Sequence, residues 1–416
     1  MQGKSTAVES VREALRKIHA ENGELRAFIS VADEEALRVA EELDREPESA
    51  RGALWGTPVA VKDLIDVRGM RTSAASHVLD DAPVATVDAE CVRRLREAGA
   101  IILGKTNLHE FAYGGSGAIS AYGAVRNPRD HERVCGGSSS GSATAVAAGM
   151  CVAALGTDTA GSIRLPAACC GVVGFKPTWG AVPVSGVIPL AWSYDHLGPL
   201  ACNVETAAVM FAALSRSPIR WESAAKVRCG VARKYFSENL APEVEAAFES
   251  ALAAARGLGW EIRDIELEVS EDRRASNAES WAYHEKLVAE RSALYDPGTL
   301  PRIVNGKKVR VEDYVEARRE LELLRERNRA GVQGIDVVLT PTSPILPPRL
   351  DEFASPAARG LELQMLRNTR PFNVLGWPTV TVPCAAMIGV QVSAAWSRDW
   401  LALSVARELE RALMNR

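Results

Sequence analysis

The chain has 416 residues, 47% of them hydrophobic, and a net charge of −4. That length carries ample core for one large or two ordinary domains. Without a basic block, nucleic acid is not indicated, and no window of about 18 apolar residues reads as a membrane span.

The N-terminus lacks the apolar core of a secretory signal. The eight cysteines are scattered without a C-x-x-C, and the six histidines show no ligand spacing. Reduced, mostly buried thiols in a cytoplasmic protein are therefore expected, and a metal site is not.

In chain order, residues 5–21 and 33–46 read as amphipathic helices around a short strand, Leu25–Val31. Gly52–Pro58 is a turn and Val59–Val61 a buried strand, with Lys62 directly after it. A lysine there ordinarily snorkels to solvent or pairs with a carboxylate such as Asp63 or Asp66. Asp88–Gly99 reads as a helix stopped by its glycine, and Ala100–Leu103 as a strand, an alternation of the α/β kind. Thr106–Gly117 is a Gly-rich loop.

From Val134 to Thr157 there is no charged residue, and Gly, Ala and Ser dominate. The backbone there can approach other backbone or a ligand closely. Ser140–Gly149 reads as a short helix with a serine cap, Cys151–Gly156 as a buried strand and Asp158–Gly161 as a turn. Ser162 then opens a helix or turn that Pro166 is expected to interrupt. A hydroxyl in such a turn sits among unpaired N–H groups, which can stabilise an oxyanion.

Further on, Val204–Ser215 and Glu243–Gly257 read as helices, and Val227–Ala232 and Ile262–Leu267 as strands. Charged helices around 270–295 and 311–330 are expected to present solvated faces. Ile335–Thr340, Val380–Val382 and Val390–Ala394 read as strands, and Trp400–Met414 as the last helix.

Residues 135–166 resemble the signature of the amidase-signature hydrolases, a pattern close to GGSSxGS…GTDxGGSIRxPA. The likeness continues through Cys170–Thr178 and is joined by Gly56–Asp63, Gly104–Phe111 and an N-x-x-G-x-P segment at Asn373–Pro378, expected in a strand region. It implies a single α/β domain over 1–416: a central twisted mixed β-sheet flanked by helices on both faces. The signature core would span about 50–205 and 335–416, with a variable helical region at about 217–330. That region is expected to shape the substrate pocket or an oligomer contact, such as that of a homodimer. The piece between Cys384 and Trp396 is shorter than the family's, which implies a missing pocket or edge loop.

The resemblance further implies cofactor-free hydrolysis of a small-molecule carboxylic amide to acid and ammonia or amine. Ser162 would attack the carbonyl and form an acyl-enzyme. No histidine lies where a relay would need one. The base is then Lys62, which must be neutral; burial beside apolar strands favours that form. Ser138, in a cis peptide in the family, would pass the proton between them. The N–H groups of Thr159, Ala160, Gly161 and Ser162 would form the oxyanion hole, and Ala112, Tyr113 and Gly114 would border the substrate. Ala160 stands where the family usually has glycine, at a cost of about 1 kcal/mol if φ is positive. Asp195 is expected to be structural, Arg164 to be a structural or substrate-facing charge, and Ser139, Ser140 and Ser142 to serve the helix start and backbone.

Other patterns compete. Gly137–Gly141 fits G-x-S-x-G, with Ser139 as nucleophile and His196 or His284 as partner. Ser223–Lys226 fits S-x-x-K. A non-catalytic scaffold is a third class. Within the family, the alternative is the glutaminase subunit of a tRNA-dependent amidotransferase. The chain's shortness, and Arg367–Asn373 in place of that branch's Y-T-x-P-A-N-x-x-G, favour a stand-alone amidase.

Overall fold

Alternation along neighbouring strands sets the layout. Val59 and Val61 join one apolar cluster and Ala60 another; Ile102 and Ile101 divide in the same way, as do Leu155 and Ala154. Side chains alternate across a strand, so a strand that feeds two cores is covered on both faces. The computed structural model describes residues 6–355 and 358–415.

The strands are β1 (Phe28–Val31), β2 (Thr57–Lys62), β3 (Ala100–Thr106), β4 (Arg126–Asn127), β5 (Asp130–Val134), β6 (Ala153–Asp158) and β7 (Val173–Lys176). Then follow β8 (His196–Ala201), β9 (Arg228–Val231), β10 (Glu261–Asp264), β11 (Val337–Pro341), β12 (Thr379–Ala385) and β13 (Ile388–Ala394). Eleven form one sheet in the order β1-β3-β2-β6-β8-β7-β12-β13-β11-β9-β10, and β4 pairs with β5. The sheet is mixed: β2 runs parallel to β3 and β6, whereas β8 runs antiparallel to β6 and β7. The helices Val204–Ser215 and Asp399–Met414 cover one face; Ala7–Leu25 and Ser140–Ala147 cover the other. The single mixed α/β sheet expected from the sequence is present. No described helix is long and apolar enough to cross a membrane.

Several local expectations change. Pro166 does not interrupt a helix, because it lies in the first turn of Arg164–Cys170, where N–H groups have no intrahelical acceptor to lose. Asn373–Pro378 is not strand: Arg370–Val374 is helical, and the chain turns at Gly376 before β12 begins. The charged helix Arg274–Arg291 is not merely a solvated face, since Glu279, Ser280 and His284 are buried. After Cys384 the chain closes directly into the β12–β13 hairpin, with Ala385 opposite Ile388.

Candidate active site

Strand alternation places Lys62, the last residue of β2, on the face of Ala60, under the start of helix Ser140–Ala147. Both β2 and β6 run parallel and end there, and the carboxyl ends of parallel strands are where α/β sheets open onto ligands. Lys62 does not snorkel and does not pair with Asp63 or Asp66. Asp63 instead meets Lys105 at 2.7 Å, and Asp66 accepts a bond from Thr72.

The Lys62 Nζ is surrounded by hydroxyls: Ser138 Oγ at 2.7 Å, Thr157 Oγ1 at 2.8 Å and Ser139 Oγ at 3.0 Å. Burial lowers its pKa to about 7, against the opposing pull of Asp158 and Asp195. Near neutrality a large part of this amine is therefore unprotonated.

The peptide between Gly137 and Ser138 is cis. The Ser138 carbonyl accepts the His109 N–H, and the Ser139 N–H donates to the Ser162 carbonyl at 3.2 Å, tying the two serine loops together. Ser139 is the helix cap by position, yet its hydroxyl does not cap the helix. It donates to the Thr157 carbonyl and faces Lys62. Ser142 donates to the Leu155 carbonyl, while Ser140 Oγ has no partner among the described residues. Gly141 has no room for a side chain: a Cβ would lie 2.3 Å from the Ala27 carbonyl oxygen.

Asp158 organises the turn after β6. Its carboxylate accepts the N–H of Gly161 at 2.7 Å and of Ile163 at 3.1 Å, and takes two bonds from the Arg164 guanidinium at 3.0 Å. Despite burial, Arg164 holds this carboxyl well below the usual range. Arg164 also donates to Thr369 O, Gln391 and Asn373, so the turn is fastened to the helix Arg370–Val374. Of the two roles expected for it, the structural one fits: it is wholly buried and does not line the cavity at Ser162. Gly161 differs from expectation, because its N–H is taken by Asp158 and does not face the cavity. The N–H groups of Thr159, Ala160 and Ser162 have no acceptor among the described residues. Ala160 does not have a positive φ, so it carries no left-handed strain; Gly161, at +134°, holds that conformation. Asp195 is the expected turn carboxylate: it accepts the N–H groups of Leu190 and Ala191 and the Thr159 hydroxyl. Burial raises its pKa.

A cavity of about 80 Å³ opens onto Ser162. Thr159 and Ala160 line it together with Ala112, Tyr113 and Gly114, so the expected oxyanion and substrate residues meet, with the exception of Gly161. Arg302 donates to the Tyr113 carbonyl at 2.8 Å and pairs with Glu362 at 2.7 Å, which fixes that loop. Sequence reasoning missed Arg273, Ser276, Asn277, Arg359, Leu366 and Arg370, which also line the cavity. Three of these come from the variable helical region.

The competing patterns find no such setting. Ser139 is wholly buried, His284 bonds to Tyr295, and His196 bonds to backbone carbonyls. Ser223 and Lys226 are exposed. Among the described residues, no group of three or more His, Cys, Asp or Glu could hold a metal ion.

The mixed sheet thus brings a buried lysine under one serine loop, and a second serine turn opens onto a cavity. The family model described as Amidase matches residues 9–403, and the chain belongs to that family. It is 35% identical to a glutamyl-tRNA(Gln) amidotransferase subunit of Koribacter versatilis, over 98% of this chain and 95% of the relative. A crystal structure of an amidase superposes with a TM-score of 0.90 at 35% identity, covering 98% of this chain and 96% of that one. The corresponding glutamyl-tRNA(Gln) amidotransferase subunit of Thermotoga maritima gives 0.77 at 31%, over 97% and 91%. The protein is thus a hydrolase of amide C–N bonds.

Proposed function

We propose that this chain alone hydrolyses a small carboxylic amide through Ser162, Ser138 and Lys62. The observation that carries this is the buried Lys62 amine, 2.7 Å from Ser138 and with a pKa near 7. Neutral Lys62 takes a proton from Ser138 as Ser138 takes one from Ser162, and Ser162 Oγ bonds to the carbonyl carbon. The carbonyl oxygen becomes an oxyanion, held by the free N–H groups of Thr159, Ala160 and Ser162. The Lys62 ammonium returns the proton through Ser138 to the leaving nitrogen, and the C–N bond breaks. Water then enters, gives its proton to the same relay and releases the acid. Ala112, Tyr113 and Gly114 hold the substrate against Ser162.

This reading treats 1–416 as one domain, with the signature core closing over the chemistry and the variable region supplying the outer pocket wall. The eight cysteines, all without disulfides, support a reducing, cytoplasmic setting.

A glutaminase subunit is the second reading, favoured by the 35% identity to the Koribacter versatilis protein. Length does not separate the two, since the chain spans 95% of that relative. The TM-score is higher to the amidase than to the Thermotoga maritima subunit, 0.90 against 0.77, and the stand-alone reading rests on Arg367–Asn373 replacing that branch's motif. The test is ammonia release from a panel of small amides, glutamine included, by the purified chain. Turnover without any partner, lost in Ser162→Ala, is expected. Glutaminase activity that appears only with added amidotransferase subunits would contradict it.

A further inference from the structure

We propose that the amide substrate carries a carboxylate, held by Arg273, Arg359 and Arg370 while its carbonyl lies at Ser162. This deepens the reading above and rests on it. Among the described residues, the cavity wall contains three arginines and not one acidic residue. They come from separate places: the residue before helix Arg274–Arg291, the helix Ala358–Met365 and the start of Arg370–Val374.

Their charges are poorly matched inside the protein. Arg370 donates to the backbone carbonyls of Ser270 and Asp272, and has no carboxylate at ion-pair distance among the described residues. The Asp272 carboxylate turns instead to Arg274, at 2.9 Å. Arg359 meets Glu362 at 3.1 Å, but Glu362 is shared with Arg302 at 2.7 Å. Arg273 lies 3.7 Å from Glu271, whose side chain is 59% exposed and also takes the Tyr235 hydroxyl. Burial, with the repulsion of Arg370 and Arg359, pulls the Arg273 pKa down to about 10. Like charges gathered around a half-closed cavity repel, and an anion placed among them relieves that cost. Guanidinium forks match a carboxylate in geometry as well as charge. Leu190 and Leu366, which also line the cavity, suit a short apolar spacer between carboxylate and amide.

The carboxylate can sit on the acyl part or on the amine part of the amide. The experiment therefore has two arms. Succinamate is compared with butyramide, and N-acetyl-β-alanine with N-propylacetamide, in wild type, Arg273→Met and Arg273→Lys. Fluorophosphonate labelling of Ser162 is measured alongside. In one arm kcat/KM should favour the anion by on the order of tenfold or more, and more strongly at low salt. Arg273→Met should erase most of that ratio, chiefly through KM, and Arg273→Lys should restore part of it. Equal or better turnover of the neutral amide in both arms, with Ser162 still labelled, overturns the carboxylate and leaves the hydrolase reading standing. A preference that Arg273→Met does not change overturns the arginine assignment. No labelling and no turnover in either arm removes the Ser162 reading, and this inference with it.

Discussion

Lys62 Nζ and Ser138 Oγ lie 2.7 Å apart, and neither residue is reached by solvent. The amine has hydroxyl neighbours and no carboxylate in contact among the described residues, so burial dominates its protonation and leaves its pKa near 7. A lysine in that state can accept a proton at neutral pH.

The first consequence is a pH profile. In the proposed mechanism only neutral Lys62 is a base, so kcat/KM should rise with pH and level off above a pKa near 7. Stability should follow the same group. Between about 7 and the ordinary 10.5 the unfolded chain holds the proton and the folded chain does not, so stability rises with pH through that window. Lys62→Met should remove this slope and lower amide turnover by about a hundredfold to ten-thousandfold. Rate profiles and denaturant titrations at several pH values check both.

Asp195 tunes that pKa. Its charge favours the Lys62 ammonium, and its carboxylate holds the Thr159 hydroxyl at 2.6 Å. Asp195→Asn should shift the rise of kcat/KM to lower pH, because a carboxylate that stabilises the ammonium is gone. A shift to higher pH would contradict the electrostatic account.

The turn at Ser162 separates two neighbouring small residues. A Cβ on Gly161 would lie 2.0 Å from Thr369 Oγ1, at a φ of +134°. Gly161→Ala should displace the Ala160 and Ser162 N–H groups and lower kcat by about a hundredfold or more. Ala160→Gly should change kcat far less, since Ala160 does not have a positive φ. Steady-state kinetics on the pair distinguishes a shaped oxyanion turn from a general sensitivity of the loop.

Arg164 and Asp158 form a wholly buried ion pair at 3.0 Å. Arg164→Met should destabilise the fold by about 3–5 kcal/mol, because it strands a buried carboxylate. Asp158 adds stability above its ordinary pKa of 3.8, lost as the pH falls through the lower folded value, so the wild type should weaken in acid. Urea unfolding of wild type and variant at pH 7 checks the first, with roughly equal stabilities counting against it, and wild-type titrations at several pH values below 3.8 check the second.

Much of the site was legible in the sequence because its residues are local to motifs. Lys62 stands out as a charge at the end of an apolar strand, and Ser138 and Ser162 lie in two glycine-bounded serine loops. Alternation within β2 and β6 then decides which face they share. The arginine wall was not legible: Arg273, Arg359 and Arg370 lie far along the chain, and tertiary packing alone brings them to the cavity. Arg273 begins a charged helix whose pattern reads as solvated, and the buried Glu279 was hidden by the same pattern. The Gly161 N–H was assigned to the cavity because a turn's donors look alike in sequence. The Asp158 carboxylate, three residues earlier, claims it in the fold. Pro166 misled because a helix start and a helix interior carry the same letter.

The most direct test of the central claim is intact-protein mass spectrometry after a fluorophosphonate probe, on wild type, Ser162→Ala and Lys62→Ala. One adduct on wild type, none on Ser162→Ala and strongly slowed labelling of Lys62→Ala are predicted. An adduct that survives in Ser162→Ala would place the nucleophile elsewhere and contradict the account.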